Sequence, residues 1–410
     1  MENRPIAIGI ENYKEIVDKP YYYIDKTLLI GEILDKGGKV NLFTRPRRFG
    51  KTLALSMIKP FFEQDTDIYG NITDNSCYFD SMKISKSGED YTKHMGQYPV
   101  IALSLKSAKQ PDFDMAYKSI LDEIAKEYER HRYVLNGDEL LEVHKEKYIR
   151  MMERKAERVD YAKALVFLSD CLKACHEKSA IILIDEYDVP LENAYFAGLY
   201  DEMITFICSL FESALKINDS LEFAVITGCL RISKESIFTG LNNLKINSIL
   251  NQSYAEYFGF TQREVEQILI DYDLSDKTGE VKEWYDGYLF GETEVYNPWS
   301  VINYVDTAIE NTVAFPKPYW SNTSSNSIIR ELIEEADSVV KQEIEGLLAG
   351  GIIEKLVHED ITYEDIHKTQ DNLWNFLFFA GYLKKIKEQF EEETIYLTLT
   401  VPNKEVAGIY

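Results

Sequence analysis

The stretch 40–53 places the strongest constraint on how this chain folds. It opens with an apolar run typical of a buried strand, and a basic turn containing a proline ends that run. Gly-Lys-Thr follows at 50–52 and leads into apolar residues with helical spacing. Strand, loop, Gly-Lys-Thr and helix in this order are the layout of a phosphate-binding P-loop. The stretch therefore predicts a nucleotide-phosphate site, followed by a helix over 53–62 that we expect to break at Pro60.

Each residue type in this loop suits the chemistry of phosphate binding. Gly50 lets the backbone approach a phosphate, Lys51 reaches the terminal phosphates, and the Thr52 hydroxyl can ligate Mg²⁺. Backbone N–H groups at the start of the helix point toward the anion. The residues predicted to bind the nucleotide are Arg47, Arg48, Phe49, Gly50, Lys51, Thr52 and Leu53.

The motif is incomplete, because Arg45 stands where the full pattern has its first glycine. Pro46 keeps Arg45 extended and removes one N–H, although from the early part of the loop. A bare Gly-Lys-Thr also occurs by chance in unrelated proteins, so a second motif is needed. The basic cluster in this loop suits nucleotide phosphates at least as well as a DNA backbone. Its members are Arg45, Arg47, Arg48 and Lys51.

The second motif is an apolar strand over 180–184 that ends in Asp185 and Glu186. Consecutive apolar residues suit a central strand of a parallel sheet covered on both faces. In P-loop nucleotidases the first acid holds Mg²⁺ and the second polarises the attacking water. A core strand with a solvated acidic end is the alternative for this stretch taken alone. Together the two motifs favour a nucleotide site in which Lys51 and both acids meet at neighbouring strand ends. Thr52 and Asp185 are the predicted metal ligands.

A third strand, predicted over 221–228, ends beside the same site. In P-loop ATPases a polar residue on the strand next to the acid-ending one contacts the γ-phosphate or positions water, and Thr227 occupies that place. A threonine that only caps a strand end is the alternative. Arg231 can reach a γ-phosphate in its own or a neighbouring subunit, although a single arginine more often forms a surface ion pair. Catalytic roles are predicted for Glu186, Lys51, Thr227 and Arg231.

With these motifs in place, the chain resembles the bacterial and archaeal AAA-ATPase-like family from about residue 5 to its last residue. The motifs that carry the resemblance are RPRRFGKT (45–52), LIDEYDVP (183–190), Thr227-Gly228 with Arg231, GLNN (240–243), EYFGFTQREV (256–265), WYDGY (284–288), YNPWSVINY (296–304), YWSNTS (319–324), FAGYL (379–383) and VPNKEV (401–406). The resemblance implies a P-loop ATPase domain with ATP and Mg²⁺ as cofactors. It also implies that an arginine at the first glycine position is the usual form in that family.

Members of this family commonly carry a PD-(D/E)XK nuclease domain after the ATPase domain. The resemblance therefore implies a nucleic-acid-related or defence-type activity, with nucleic acid as a partner through that domain. No spaced Asp…Glu-x-Lys constellation follows in these 410 residues. We expect the chain to be a fragment or a naturally shortened member, and we assign it no nuclease activity.

Composition is that of a soluble globular protein, with 45% hydrophobic and 28% charged residues. The sequence has no apolar run of membrane-spanning length and no signal peptide, which predicts a cytoplasmic protein with no membrane partner. The net charge of −24 argues against a broad surface that wraps nucleic acid, because such surfaces need clustered Lys and Arg.

The predicted fold class is α/β. We expect a three-layer P-loop core with a mostly parallel sheet over 1–258, a smaller and mainly helical domain over 259–390, and the start of a truncated segment over 391–410. A winged-helix portion around the aromatic turn 284–288 is one option for the second domain. Further helices are predicted over 28–35, 113–130, 139–176, 200–215, 261–272, 300–309 and 326–335, and further strands over 98–105 and 393–401.

Two functions fit this sequence, and the resemblance alone implies a third, a nucleic-acid-handling module that acts with a nuclease domain. The first is Mg²⁺-dependent ATP hydrolysis, and the alternative is a nucleotide-gated switch or assembly module with little or no ATP turnover. A homo-oligomer is a further expectation. The segment 21–23 is either part of the core or a platform for adenine.

Overall fold

The computed structural model describes residues 4–231, 242–320, 332–359, 366, 369–391 and 394–410. The helices used below are α1 (Tyr13–Asp18), α2 (Leu28–Lys36), α3 (Lys51–Phe62), α4 (Glu89–Thr92), α5 (Phe113–Arg130), α6 (Glu142–Met152), α7 (Arg158–Tyr161), α8 (Ala164–His176), α9 (Val189–Phe196), α10 (Tyr200–Leu215), α11 (Gln262–Asp271), α12 (Thr278–Tyr285), α13 (Pro298–Glu310), α14 (Ser338–Leu348), α15 (Gln370–Phe379) and α16 (Lys404–Ala407). The strands are β1 (Val40–Thr44), β2 (Asp65–Thr66), β3 (Ile72–Thr73), β4 (Val100–Ser104), β5 (Ala180–Asp185), β6 (Leu221–Gly228), β7 (Leu244–Asn247), β8 (Phe260–Thr261), β9 (Tyr288–Phe290), β10 (Thr293–Tyr296), β11 (Ile353–Val357), β12 (Lys384–Glu391) and β13 (Thr394–Thr400).

A five-stranded sheet with the order β4-β5-β6-β1-β7 forms the core, and all of its strand pairs are parallel. Strands β1 and β5 are buried at every position, as expected for strands covered on both faces. The α/β class and the parallel sheet are thus confirmed. The expectation that the P-loop strand and the acid-ending strand are neighbours is wrong, because β6 lies between β1 and β5.

Helices cover this sheet. Helix α3 contacts β4, β5 and β6, whereas α5, α8 and α10 pack against one another and against the same three strands. The predicted bounds of α5 and α10 are confirmed residue for residue. Amphipathic helices of this length give a strong periodic signal, which explains the agreement.

Two helix predictions need correction. Helix α3 does not break at Pro60 but continues to Phe62, because Phe61 and Phe62 are fully buried and hold the last turn in place. A proline removes only one helical hydrogen bond, and the packing of these rings offsets that loss. The predicted helix over 139–176 is divided into α6, α7 and α8, with Arg154 in a left-handed conformation (φ 59°) after α6.

Residues 259–410 are called the C-terminal unit below, and their described part combines helices α11–α16 with two antiparallel sheets. Their strand orders are β8-β10-β9 and β11-β13-β12. Of the strands in these sheets, the sequence predicted β13, as the strand over 393–401, and none of the others. Strand β13 pairs with both β11 and β12. The predicted boundary at 390/391 therefore falls at the end of β12, which pairs with β13. The division into domains and the winged-helix portion stay predictions. Some predicted features lie partly outside the described residues. These are the motif GLNN (at 240–241), the motif YWSNTS (at 321–324) and the predicted helix over 326–335 (at 326–331).

The amino-terminal segment connects the two parts of the molecule. Ile6, Tyr22 and Ile24 pack on a buried apolar cluster formed by α11, α12 and α13, which belong to the C-terminal unit. Thr261 caps α11 through a capping box with Glu264, as the sequence predicts. In the described part of the chain, no helix is both long enough and apolar enough to cross a membrane.

Candidate functional site

The loop between β1 and α3 has the backbone shape that phosphate binding requires. Gly50 has a φ of 82°, and a Cβ placed on it would meet no atom within 4 Å. Arg48 is also left-handed, with a φ of 69°. The loop therefore turns sharply into α3, whose first N–H groups have no partner within the helix. Open space beside these N–H groups gives an anion room to approach.

Lys51 is buried at the base of the loop. Its Nζ donates hydrogen bonds to the backbone oxygens of Arg45 at 2.9 Å and Pro46 at 3.0 Å. The Cys229 sulfur lies 3.6 Å from the same nitrogen. The Lys51 side chain thus points back along the loop. Lys51 also lines the cavity that lies in front of Gly50.

Asp185 joins the loop to the ends of two strands. The Thr52 hydroxyl donates to Asp185 Oδ2 at 2.7 Å, and the Thr227 hydroxyl donates to Asp185 Oδ1. Thr52 lies in the first turn of α3, Asp185 ends β5 and Thr227 lies near the end of β6. The structure therefore brings the predicted metal ligands together with the predicted γ-phosphate contact, although β1 and β5 are separated by one strand.

Glu186 faces the cavity from the residue after β5. Its backbone is left-handed, with a φ of 52°, which turns the chain sharply out of the strand. Burial is the main cause that raises the pKa of Glu186, and the charge of Asp185 raises it further. A carboxylate with a raised pKa is a stronger base than a solvated one.

The three arginines of the loop have different surroundings. Arg47 forms an ion pair with Glu192 of α9, and the Arg48 guanidinium lies 4.3 Å from the ring centroid of Trp299 in α13. Both arginines border the cavity.

Arg45 does not belong to the phosphate cluster, contrary to the prediction. Its guanidinium is fully buried, donates to the backbone oxygens of Thr44 and Asn247, and lies 5.1 Å from the rings of both Phe258 and Phe290. Burial lowers the pKa of Arg45 to about 9. The side chain anchors the loop from behind.

Arg231 contacts the C-terminal unit. Its Nη1 lies 3.4 Å from Glu359 Oε2 in the C-terminal unit. Among the described residues, those that line the cavity include Lys51, Thr52 and Glu186 but not Asp185, Thr227 or Arg231. Its role as an arginine finger stays a prediction.

A cavity of about 420 Å³ lies in front of the loop. All seven residues predicted to bind the nucleotide line it, namely Arg47, Arg48, Phe49, Gly50, Lys51, Thr52 and Leu53. Tyr22 and Tyr23 of the amino-terminal segment line it as well, beside Met57 of α3.

Several lining residues were not identified from the sequence. Lys106 follows β4 and forms an ion pair with Glu11 at 2.9 Å. Its position after the strand next to β5 is the signal that could have indicated it, because carboxyl ends of parallel strands meet at one edge. Trp299 carried no such signal, since it is distant in sequence from every other part of the site.

Asp188 and Tyr187, which follow the two acids, hold the segment after β6. Asp188 Oδ2 accepts hydrogen bonds from the N–H groups of Cys229 at 2.7 Å and Leu230 at 3.1 Å. The Tyr187 hydroxyl donates to the Leu230 oxygen. A Cβ on Gly228 would lie 2.5 Å from the Tyr187 ring, so only glycine fits there. The ends of β5 and β6 are therefore fixed to each other.

The donor chemistry of this site fits Mg²⁺. A threonine hydroxyl and an aspartate carboxylate are oxygen ligands of the kind that Mg²⁺ prefers, usually with water and phosphate oxygens completing the octahedron. Within the described residues, no group of three or more His, Cys, Asp and Glu side chains could hold a metal by itself. Thr52 and Asp185 would thus hold the ion only together with other oxygens.

The parallel sheet, the left-handed glycine after β1 and the acids at the end of β5 define an α/β protein with a P-loop-like core. Comparison with known families gives the same class, since the family described as Predicted AAA-ATPase matches residues 7–238. The chain belongs to this family.

One curated relative is described as "Uncharacterized protein in vnfD 5'region", from Azotobacter chroococcum mcd 1. It is 24% identical over an alignment of 390 residues, and the match covers 93% of this chain. The chain spans 64% of the length of that relative.

Proposed function

We propose that this chain binds ATP with Mg²⁺ in the cavity between β1 and α3 and hydrolyses it. The observation that carries the proposal is the contact of Thr52 with Asp185, because it joins the Gly-Lys-Thr motif, whose residues line the cavity, to the acid-ending strand. Membership of the AAA-ATPase family supports nucleotide use in general.

The loop would bind the polyphosphate. The N–H groups at the start of α3 point toward it, and Lys51 would exchange its two backbone oxygens for phosphate oxygens. Arg47 and Arg48 border the same space and add positive charge. These groups stabilise charge that accumulates on the phosphoryl oxygens during transfer.

Thr52 and Asp185 would hold the metal, which when bound supplies positive charge to the β- and γ-phosphate oxygens. Thr227 keeps Asp185 oriented through its hydrogen bond, and its hydroxyl would turn to the γ-phosphate when ATP binds. Glu186 would accept a proton from the attacking water, and its raised pKa favours that role.

The test is release of inorganic phosphate from ATP by the full chain. We expect Lys51→Ala and Glu186→Gln to lose most of the activity, on the order of 100-fold or more, since each removes a group that acts in the transition state. Matched controls are Lys59→Ala, in the same helix, and Glu222→Gln, an exposed glutamate on β6. Equal release by the parent and both site variants would reject hydrolysis at this site.

A nucleotide-gated switch is the second candidate, and the packing of the phosphate loop on the C-terminal unit favours it. Phe49 contacts the rings of Tyr288 and Phe290, with centroids 4.9 Å and 5.2 Å away. A Cβ on Gly381 would lie 2.8 Å from Pro46. Any movement of the loop on binding ATP would thus press on the C-terminal unit.

Binding without turnover, together with an ATP-dependent change in sedimentation, would support the switch. The parent and the Lys51→Ala variant provide the comparison, because the variant should show neither effect. A nucleic-acid partner and self-association also stay predictions. Salt-insensitive absence of DNA and RNA binding would count against the former for this chain.

A further inference from the structure

The end of β4 brings a further lysine to the cavity, on the far side of the acid-ending strand from the phosphate loop. Ser104 of β4 pairs with Asp185 of β5, and the Leu105 N–H donates to the backbone oxygen of Asp185 at 3.0 Å. The residues that follow, Lys106 and Glu186, both line the cavity. The sheet therefore holds Lys106 beside the residue that we propose as the general base.

Glu186 lies within reach of the charges of two lysines. The phosphate loop that supplies Lys51 follows β1, whereas Lys106 follows β4, and β5 lies between these two strands in the sheet. Burial raises the pKa of Glu186, and the positive charges of both lysines oppose that rise. An anion that enters the cavity in front of Glu186 would thus meet positive charge from both directions.

Lys106 bonds to the amino-terminal segment. Its ammonium group donates to both carboxylate oxygens of Glu11, at 3.0 Å and 2.9 Å, and Glu11 also lines the cavity. The two side chains are 53% and 46% exposed. Because water screens an ion pair that is so exposed, breaking the pair costs little. A phosphate group carries more charge than a carboxylate and can therefore replace Glu11 at Lys106.

We propose that Lys106 distinguishes ATP from ADP, because its ammonium group leaves Glu11 and binds the γ-phosphate, which ADP lacks. This rests on the proposed function, since polyphosphate at Gly50 and Lys51 directs its last phosphate toward the end of β5. The N–H groups at the start of α3 hold phosphates that both nucleotides carry. Two strands separate β4 from β1, so Lys106 meets the last phosphate only.

A purely structural role for the Glu11–Lys106 pair would lead to a different result. The amino-terminal segment is attached on both sides of Glu11, because Ile6 packs on the cluster of α11, α12 and α13 and the Tyr13 N–H donates to Ser56 of α3 at 3.1 Å. If the pair only held this segment beside the cavity, removing either partner would change nucleotide affinity in the same direction. If Lys106 binds the γ-phosphate, the two removals have opposite effects, since Glu11 competes with the nucleotide for the lysine.

Calorimetric titration of the full chain with Mg²⁺ and either ADP or the non-hydrolysable ATP analogue AMP-PNP tests this role. Lys106→Met removes the ammonium group and keeps the length of the side chain, and Glu11→Gln removes the competing charge. Lys118→Met makes the same change as Lys106→Met at an exposed position of α5, outside the described lining of the cavity. Because Lys106 and Glu11 are both half exposed, their substitution should leave the fold intact.

Lys106→Met should weaken AMP-PNP binding by about tenfold or more and ADP binding by less than about twofold, because a charge-assisted bond to the third phosphate is lost. Glu11→Gln should strengthen AMP-PNP binding by about twofold to threefold and leave ADP binding unchanged. Lys118→Met should behave like the parent.

The deciding quantity is the ratio of AMP-PNP affinity to ADP affinity. An unchanged ratio in Lys106→Met, or a similar weakening of AMP-PNP binding in Lys106→Met and Glu11→Gln, would overturn the role of Lys106 and leave the proposed function intact. A parent chain that binds neither nucleotide would reject the proposed function itself.

Discussion

Thr52 donates a hydrogen bond to Asp185 at 2.7 Å, although the two residues are 133 positions apart in the chain. The other oxygen of the same carboxylate accepts from Thr227. One acid therefore holds the first turn of α3 at the ends of β5 and β6. Because the groups are already in contact, little reorganisation is needed to present a hydroxyl and a carboxylate to a metal.

Gly50 offers a test that separates backbone strain from ligand binding. Gly50→Ala and Gly70→Ala place a side chain at positions with φ of 82° and 93°, and neither Cβ meets an atom within 4 Å. Each should cost about 1 kcal/mol of stability, because non-glycine residues disfavour this backbone region. Only Gly50→Ala should also weaken ATP binding, by about tenfold or more, since its methyl group occupies the phosphate space. Urea unfolding and ATP titration measure the two effects, and equal ATP affinity in both variants would argue against phosphate at Gly50.

The raised pKa of Glu186 predicts how the rate of hydrolysis depends on pH. A general base acts in its deprotonated form, so the rate should fall as the pH falls through its pKa. Because burial raises that pKa above 4.5, the acidic limb of the pH–rate profile should lie above pH 4.5. Residual hydrolysis by Glu186→Gln should lack this limb, whereas Glu222→Gln should retain it. An unchanged acidic limb in Glu186→Gln would assign the titration to another group.

Glu405 predicts how stability changes with pH. It is fully buried and accepts hydrogen bonds from the Ser300 hydroxyl and from the backbone N–H of Trp320. Burial raises its pKa to about 7 from 4.5, so the folded protein retains a proton that the unfolded chain releases. The stability that this proton supplies is complete below pH 4.5 and is lost as the pH rises through 7.

The parent should therefore lose stability between pH 5 and pH 8, whereas Glu405→Gln should not show this loss. The stability of the variant relative to the parent should be higher at pH 8 than at pH 5 by on the order of 2 kcal/mol. Urea unfolding at the two pH values measures this, with Glu283→Gln as an exposed control in α12. A parent and a Glu405→Gln variant with parallel stability profiles would show that Glu405 ionises normally.

Substitutions of Arg45 test whether this arginine supports the loop or binds phosphate. Its Nε and Nη2 have no hydrogen-bond partner among the described residues, so an apolar residue of similar length can replace it. Arg45→Met should change stability by less than about 1 kcal/mol and leave ATP affinity unchanged, whereas Arg45→Ala should cost about 3 kcal/mol through the cavity it leaves. A large loss of ATP affinity in Arg45→Met, at wild-type stability, would restore the role as a phosphate ligand.

The sequence predicts those features that depend on neighbours along the chain. The bounds of α5, α10 and β6 follow from hydrophobic periodicity, and the capping box at Thr261 follows from local spacing. Gly50 and Lys51 were likewise identified from a contiguous motif.

Features that depend on tertiary packing were missed. The placement of β6 between β1 and β5 is a choice among strand orders that local patterns do not encode. Arg45 looked like a phosphate ligand because its charge is visible in the sequence, whereas the rings of Phe258 and Phe290 that enclose it come from more than two hundred positions away. Trp299 reaches the cavity for the same reason, through packing of the C-terminal unit on the loop.

The most direct measurement is an ATP titration of the full chain with and without Mg²⁺, in the parent, Thr52→Ser and Thr52→Val. Serine keeps the hydroxyl that contacts Asp185, and valine keeps the shape but removes it. We expect Mg²⁺ to tighten ATP binding in the parent and in Thr52→Ser by about tenfold or more, and to have little effect in Thr52→Val. The same response to Mg²⁺ in all three proteins, or no ATP binding by the parent, would contradict the proposed site.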